Sequence, residues 1–181
     1  IPILLMAGAI VGPPVPTGRW GGLALTLLIS VAGFACAFPF SVALALARRS
    51  KMAGLRTVSI VFIEIVRGVP MVAILYVAML LVPMMLPAGF SPEALIRAQI
   101  GLTLFVSAYL AEVIRAGLQS VAHGQEEAAA SLGFGYWTSL RLIVLPQALR
   151  AVIPALVNLA IGILLNSTLV AVIGIFDLLN A

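Results

Sequence analysis

The chain has 181 residues, of which only 9% are charged and 63% hydrophobic, with a mean hydropathy of +1.23 and a formal net charge of +4. A soluble domain carries about 25% charged residues, so this chain holds more apolar surface than a core of its size buries, and lipid is the solvent that takes the remainder. The composition excludes most cytoplasmic enzymes, disordered tails and nucleic-acid binders, and the ten Lys and Arg, spread between apolar runs, read as topology signals.

The chain begins at Ile1, and its first apolar stretch, Ile1 to Val11, stops at Pro13, Pro14 and Pro16 before it is long enough to span. Residues 1–20 therefore read as a partial segment on the outer side of a longer protein, and no basic n-region suggests a signal peptide. Residues 21–181 read as one transmembrane domain. Its first span, Gly21 to Ala47, is free of charge over 27 positions and contains Pro39, which is expected to kink it rather than end it. Cys36, the single cysteine, rules out an internal disulfide and is expected to be a small core residue. The second span runs from Thr57 to about Val82, carries Glu64 and Arg67, and has a break signal at Gly68 and Pro70. A third, from about Ala98 to Val121, holds Glu112 and Arg115. The fourth, from Ala151 to about Phe176, is uncharged but punctuated by Pro154, Asn158, Gly162, Asn166, Ser167 and Thr168. Backbone groups in lipid must be satisfied within their own segment and nothing here alternates like a barrel strand, so the expected fold is all-α, a polytopic helical bundle.

Lys and Arg set the orientation. Arg48, Arg49, Lys51 and Arg56 follow the first span and Arg141 and Arg150 the third, against Arg19 and Arg97 on the other side. The positive-inside rule makes the first and third loops cytoplasmic and leaves the link from Pro83 to Pro92, with Trp20, on the outer face. The loop from Ala122 to Arg150 is long for a compact bundle. Within it, Gln125 to Leu132 is a strong helix former, with Glu126 and Glu127 in the first turn, favourable to the helix dipole, and Gly133 at the stopping position. The segment from Tyr136 to Leu145, with Tyr136 and Trp137 as interface anchors, is expected to end at Pro146. Such a loop either lies on lipid as an amphipathic helix or docks a partner.

One spacing separates the two. Glu127, Ala128 and Ala129 are followed, after three intervening residues, by Gly133 and, after nine more, by Ile143, then Leu145 and Pro146. This resembles the EAA loop of the inner-membrane permeases of ATP-binding-cassette importers. The stretches Glu64 to Pro70, Ala108 to Gly117 and Gly124 to Gly133 are similar to the polar amino acid branch, the histidine, glutamate, glutamine and arginine type, and in detail to general L-amino acid transporters of Gram-negative bacteria. The resemblance implies a type I permease core of five spans, of which four lie here, in the bacterial inner membrane. It also implies a second permease subunit (a copy or a paralogue), two ABC ATPase subunits and a periplasmic amino acid-binding protein. Gln125, Glu126, Glu127, Ala128, Ala129, Gly133, Ile143, Leu145 and Pro146 would form the ATPase-coupling loop, with Glu126, Glu127 and the Ala128 to Ala130 face in a groove of the ATPase. The chain departs from relatives that carry Lys-Asp-Thr-Ser-Leu after the fourth span. Here Leu165, Asn166, Ser167, Thr168 and Leu169 stand instead, so no role of that lysine carries over.

No GxxxxGK[ST] phosphate cradle is present in the sequence, so the chain is expected to bind no cofactor, with ATP and Mg held by the partner ATPase. Charges inside a span cost at least about 2.5 kcal/mol and are paired or face a polar cavity. Glu64 with Arg67, and Glu112 with Arg115, are each three apart and can meet along one helical face, either as a structural lock or as a cytoplasmic gate. Asn158, Asn166, Ser167 and Thr168 are the candidates for contact with a zwitterionic substrate, against ordinary interhelical hydrogen bonding. His123, the single histidine, has no second metal ligand nearby and reads as a solvated loop residue. The competing class is an intramembrane enzyme or passive channel that acts without an ATPase. An enzyme would need a base that the arginines at helical spacing quench, and a channel a ring of like charges.

Overall fold

The computed structural model describes residues 22–87 and 92–166, and places seven helices among them. They are α1 (Gly22–Arg48), α2 (Ala53–Gly68), α3 (Met71–Met85), α4 (Ala94–Ser120), α5 (His123–Ser131), α6 (Tyr136–Ala151) and α7 (Ile153–Asn166). No strand occurs among the described residues. Helices α1 and α4 are long and apolar enough to cross a membrane unbroken, whereas α2 with α3 and α6 with α7 qualify only as pairs, bent by 110° and 61°. The second stretch read as a span is thus two helices nearly at right angles, and the fourth begins before Ala151 as the tail of α6.

Both bends have a local cause. Val69 (φ −105°, ψ 135°) and Pro70 (φ −57°, ψ 141°) are extended, because the proline ring excludes the helical region for the residue before it. The Pro70 carbonyl then starts α3 by accepting from the Ala73 and Ile74 amides at 3.0 and 3.2 Å. At the second bend Pro154 has no N–H for the carbonyl four residues back, and Val152 leaves the helical region (φ −101°, ψ 6°).

Helix α4 is the axis of the bundle. Ala98, Leu102, Val106 and Leu110, spaced by four, form one buried stripe against Ile29 and Ala37 of α1, Met71 and Leu75 of α3 and Ile163 of α7. Farther along, Ile114 and Leu118 join Ala45 of α1 and Leu140, Val144 and Ala148 of α6 in a second cluster. Early residues of α1 meet early residues of α4 and late meet late, so the two long helices run parallel. Between helices in lipid no water is expelled, and close packing and polar links carry the association. Of the buried serines, Ser41, Ser59 and Ser107 donate to carbonyls of their own helices at 2.6–2.8 Å, while the buried Ser30 Oγ has no partner among the described residues.

Two further positions correct the sequence reading. Cys36 is exposed on the outward side of α1 rather than packed in the core, because the buried stripe passes through Gly33 and Ala37 instead. Pro146 does not end the segment from Tyr136. The helix continues to Ala151 by opening a wide turn over Leu140–Val144, in which the Leu145 amide bonds the Leu140 carbonyl five residues back. The wider turn relieves the demand for an N–H at 146 and the clash of its ring with the preceding turn.

Arg97 has a role beyond topology. In α3 the Met79 carbonyl would normally accept from residue 83, but that residue is Pro83, and the Arg97 guanidinium donates to the Met79 carbonyl instead, at 3.0 Å. Arg97→Met is expected to lower stability by about 2 kcal/mol, the worth of a charge-assisted bond. In a Pro83→Ala background, which restores the backbone donor, the same change should cost about half as much. Unfolding of the four proteins in detergent checks this, and equal losses in both backgrounds would refute it.

Candidate functional site

Helix α5 ends in a complete Schellman closure. The Gly133 amide bonds the Ala130 carbonyl at 2.9 Å and the Phe134 amide the Ala129 carbonyl at 3.0 Å, with Gly133 at φ +79°. That geometry explains the spacing of the motif: the turn needs a residue free to take positive φ two positions past the last helical one, and glycine does so without a Cβ penalty. A Cβ at 133 would meet nothing within 4 Å, so its cost there would be conformational rather than steric.

The motif residues fall on different sides of α5. Ala129 is buried against the bundle, and its small side chain permits that approach. Glu126 is half-buried and pairs with Arg49, just past α1, at 3.3 Å. Gln125 accepts from Gln147 of α6 at 3.0 Å. Glu127, Ala128 and Ala130 stay exposed, Glu127 beside His123 at 3.3 Å. The single docking face read from the sequence is therefore divided: Gln125, Glu126 and Ala129 face their own chain, and Glu127 and Ala128 face outward. Leu132, Tyr136 and Trp137 extend the exposed surface, with the two rings edge to face at 5.2 Å. Ile143, Leu145 and Pro146 are half-buried in α6, where the wide turn carries Leu140 and Val144 into the second core cluster. A cavity of about 220 Å³ lies beneath α5, lined by Arg49, Glu126, Phe134, Tyr136, Leu140 and Val144 among others.

The intramembrane charges gather around Glu112. Its Oε2 accepts from Arg115 at 2.8 Å and lies 4.0 Å from Arg67, while its Oε1 accepts from Arg48. Arg48 also reaches Glu64 at 3.3 Å, and Arg115 donates to Gln119 at 2.8 Å. Among the described residues Glu64 pairs with Arg48 rather than with Arg67, which corrects the pairing read along α2. Arg67 lies over the Tyr109 ring, 5.4 Å from its centroid, and the Tyr109 hydroxyl donates to the Arg67 carbonyl at 3.5 Å, so α2 turns that guanidinium toward α4. The cluster holds three guanidinium groups against two carboxylates.

Sequence reasoning assigned Arg48 and Arg49 to a loop and gave Tyr109, Gln119 and Gln147 no part. The usable signal was the position of Arg48 and Arg49 immediately behind an uncharged span, where long cationic side chains reach back along the helix. Asn158 and Asn166 are exposed on α7, and Ser167 and Thr168 lie outside the described residues.

Residues 37–180 match the family described as binding-protein-dependent transport system inner membrane component. The chain is 48% identical over 167 residues to the inner membrane amino-acid ABC transporter permease protein YhdY of Escherichia coli (strain K12), covering 92% of this chain and 46% of that protein. It is 44% identical to the glutamate/glutamine/aspartate/asparagine transport system permease protein BztC of Rhodobacter capsulatus, covering 91% of this chain and 38% of that one. The chain thus spans less than half the length of these curated relatives. A crystal structure of an amino acid ABC transporter with histidines superposes with a TM-score of 0.75 at 34% identity, over 87% of this chain and 72% of that one. An inward-facing MetNI methionine ABC transporter, at 22% identity and TM-score 0.67, shares the fold. With four fifths of its length matched and its all-α architecture shared, this chain belongs to the family of binding-protein-dependent transport system inner membrane components.

Proposed function

We propose that the chain is the translocating part of a permease subunit in an ATP-driven importer of polar or general L-amino acids in the inner membrane of a Gram-negative bacterium. It works beside a second permease subunit, a copy or a paralogue, with two ABC ATPase subunits on the cytoplasmic side and a periplasmic amino acid-binding protein outside. Hydrolysis, with ATP and Mg, belongs to the ATPases. The observation that carries this reading is α5, a short capped helix with Glu127 and Ala128 free on its outer side, flanked by exposed Tyr136 and Trp137. Its outward surface is the contact offered to the ATPase.

The substrate path is assigned to α7. Asn158 and Asn166 are exposed on α7 of the single chain, and an amide turned to hydrocarbon is costly. They fit better against a polar path shared with the second permease subunit, together with Ser167 and Thr168. The cluster of Glu64, Arg67, Glu112 and Arg115, with Arg48, acts as the gate on the cytoplasmic side, because a shared hub of ion pairs has alternative pairings of similar energy.

The test is gentle purification of the intact subunit from native membranes, with identification of what remains bound. An ABC ATPase is expected to accompany the wild type and to be lost in a Glu127→Ala, Gly133→Val double variant that still inserts. The valine disfavours the positive-φ cap by about 1–2 kcal/mol. An ATPase retained by that variant at wild-type level would remove the docking role of α5, and a subunit that transports with no ATPase would remove the importer reading.

A further inference from the structure

Two consecutive arginines at the end of α1 face two different partners. Arg48 reaches the hub, bonding Glu112 and Glu64, while Arg49 bonds Glu126 of α5 across 77 positions of sequence. The chain holds them in a tight end to the helix, with the Arg49 amide on the Leu46 carbonyl and the Ser50 amide on the Ala47 carbonyl, each at 3.0 Å. The result is two sets of charge-assisted bonds, Arg49 to Glu126 on one side and Arg48 to Glu112 and on to Arg115 on the other, joined by the single peptide unit between residues 48 and 49. We infer that Arg48 and Arg49 form a relay that ties the ATPase-contacting helix α5 directly to the intramembrane charge cluster, so that a displacement of α5 shifts the pairing around Glu112.

The route is distinct from the covalent one. Helix α5 is already joined to α4 through residues 121–122 and to α6 through residues 132–135, and Gln147 and Ala129 add side-chain contact on the α6 side. Helix α1 has no such neighbouring joint. Arg49 and Glu126, paired at 3.3 Å, both line the cavity of about 220 Å³ beneath α5, so a polar link joins the end of α1 to α5 at its wall. Arg49 and Glu126 are 36% and 41% exposed, and a pair that exposed shifts an equilibrium by about fivefold at most. It is therefore a poor fold stabiliser but adequate to bias two arrangements of the hub that differ little in energy.

The inference rests on the proposed ATPase contact of α5, and the experiment separates the two. The complete transporter, with its ATPase and binding protein, is reconstituted in vesicles, and ATP hydrolysed per labelled L-amino acid taken up from a mixture is measured together with ATPase retention. Arg49→Gln is expected to keep the ATPase bound and raise the hydrolysis-to-uptake ratio by about threefold to fivefold. Glu126→Arg combined with Arg49→Glu should return the ratio toward wild type, and a cycle of Arg49→Gln with Glu112→Gln should be non-additive, which a merely structural bridge would not produce. An unchanged ratio in Arg49→Gln with the ATPase still bound overturns the relay, as does a raised ratio that the charge swap does not restore. A wild-type transporter that holds no ATPase overturns the underlying reading as well, and is recognised by retention rather than by the ratio.

Discussion

Gly117→Val is expected to leave the helices inserted and to destroy the contact between α4 and α6. A Cβ at 117 would stand 2.6 Å from the Ala148 carbonyl oxygen and 2.8 Å from Val152 Cγ1. The first of these is backbone within a helix and cannot rotate away, so the helices must separate. Overpacking of this kind costs about 1–3 kcal/mol, and in lipid, where close approach is what holds helices together, the upper end applies. The separation would also withdraw Leu140, Val144 and Ala148 from Ile114 and Leu118 and so loosen the base on which α5 stands. Even Gly117→Ala should weaken the protein, whereas Gly54→Ala, whose new Cβ meets nothing within 4 Å, should not. Thermal unfolding in detergent, followed by uptake in vesicles, measures both. A Gly117→Val protein as stable as wild type would show that this approach of the helices carries no weight.

The second large effect concerns Glu112. Glu112→Gln keeps the shape but leaves Arg48, Arg67 and Arg115 around a neutral amide, with Glu64 as the remaining carboxylate. Breaking a buried pair by removing one partner costs about 3–5 kcal/mol. With the Glu112 side chain 15% exposed, the lower figure, about 3 kcal/mol, is expected. The diagnostic is partial rescue: Arg48→Met added to Glu112→Gln removes one unpaired cation and should recover stability, although Arg48→Met alone in the wild type costs it. A double variant worse than Glu112→Gln would show that the damage is not charge imbalance.

Much of this was legible in the residues. The charge-free run behind Arg48 announced α1, and Gly133 four residues after Ala129 announced the end of a helix, because both signals are local. The angle at Gly68 to Pro70 was not legible: a proline marks where the helix stops, while the 110° is set by the backbone torsions of Val69 and Pro70, which residue types alone do not fix. Spacing along one helix put Glu64 with Arg67, but nothing in one helix discloses that Arg48 enters from another. The same distinction explains why Glu126 and Glu127, neighbours in sequence, serve different partners. A 100° step around α5 turns one toward Arg49 and the other to solvent.

The wide turn over Leu140–Val144 acts as a phase shifter. An additional residue per turn rotates everything before it by about 100° relative to an unbroken α-helix. Through it, the azimuth of the Tyr136–Ser139 end, and with it the direction in which α5 is presented, is set independently of the register in which Leu145–Ala151 lies on α4. Chain length at this one point is thus convertible into angle. The face shown to a partner could be re-aimed by a single insertion or deletion there, with no change to any residue of α5 or of the membrane core.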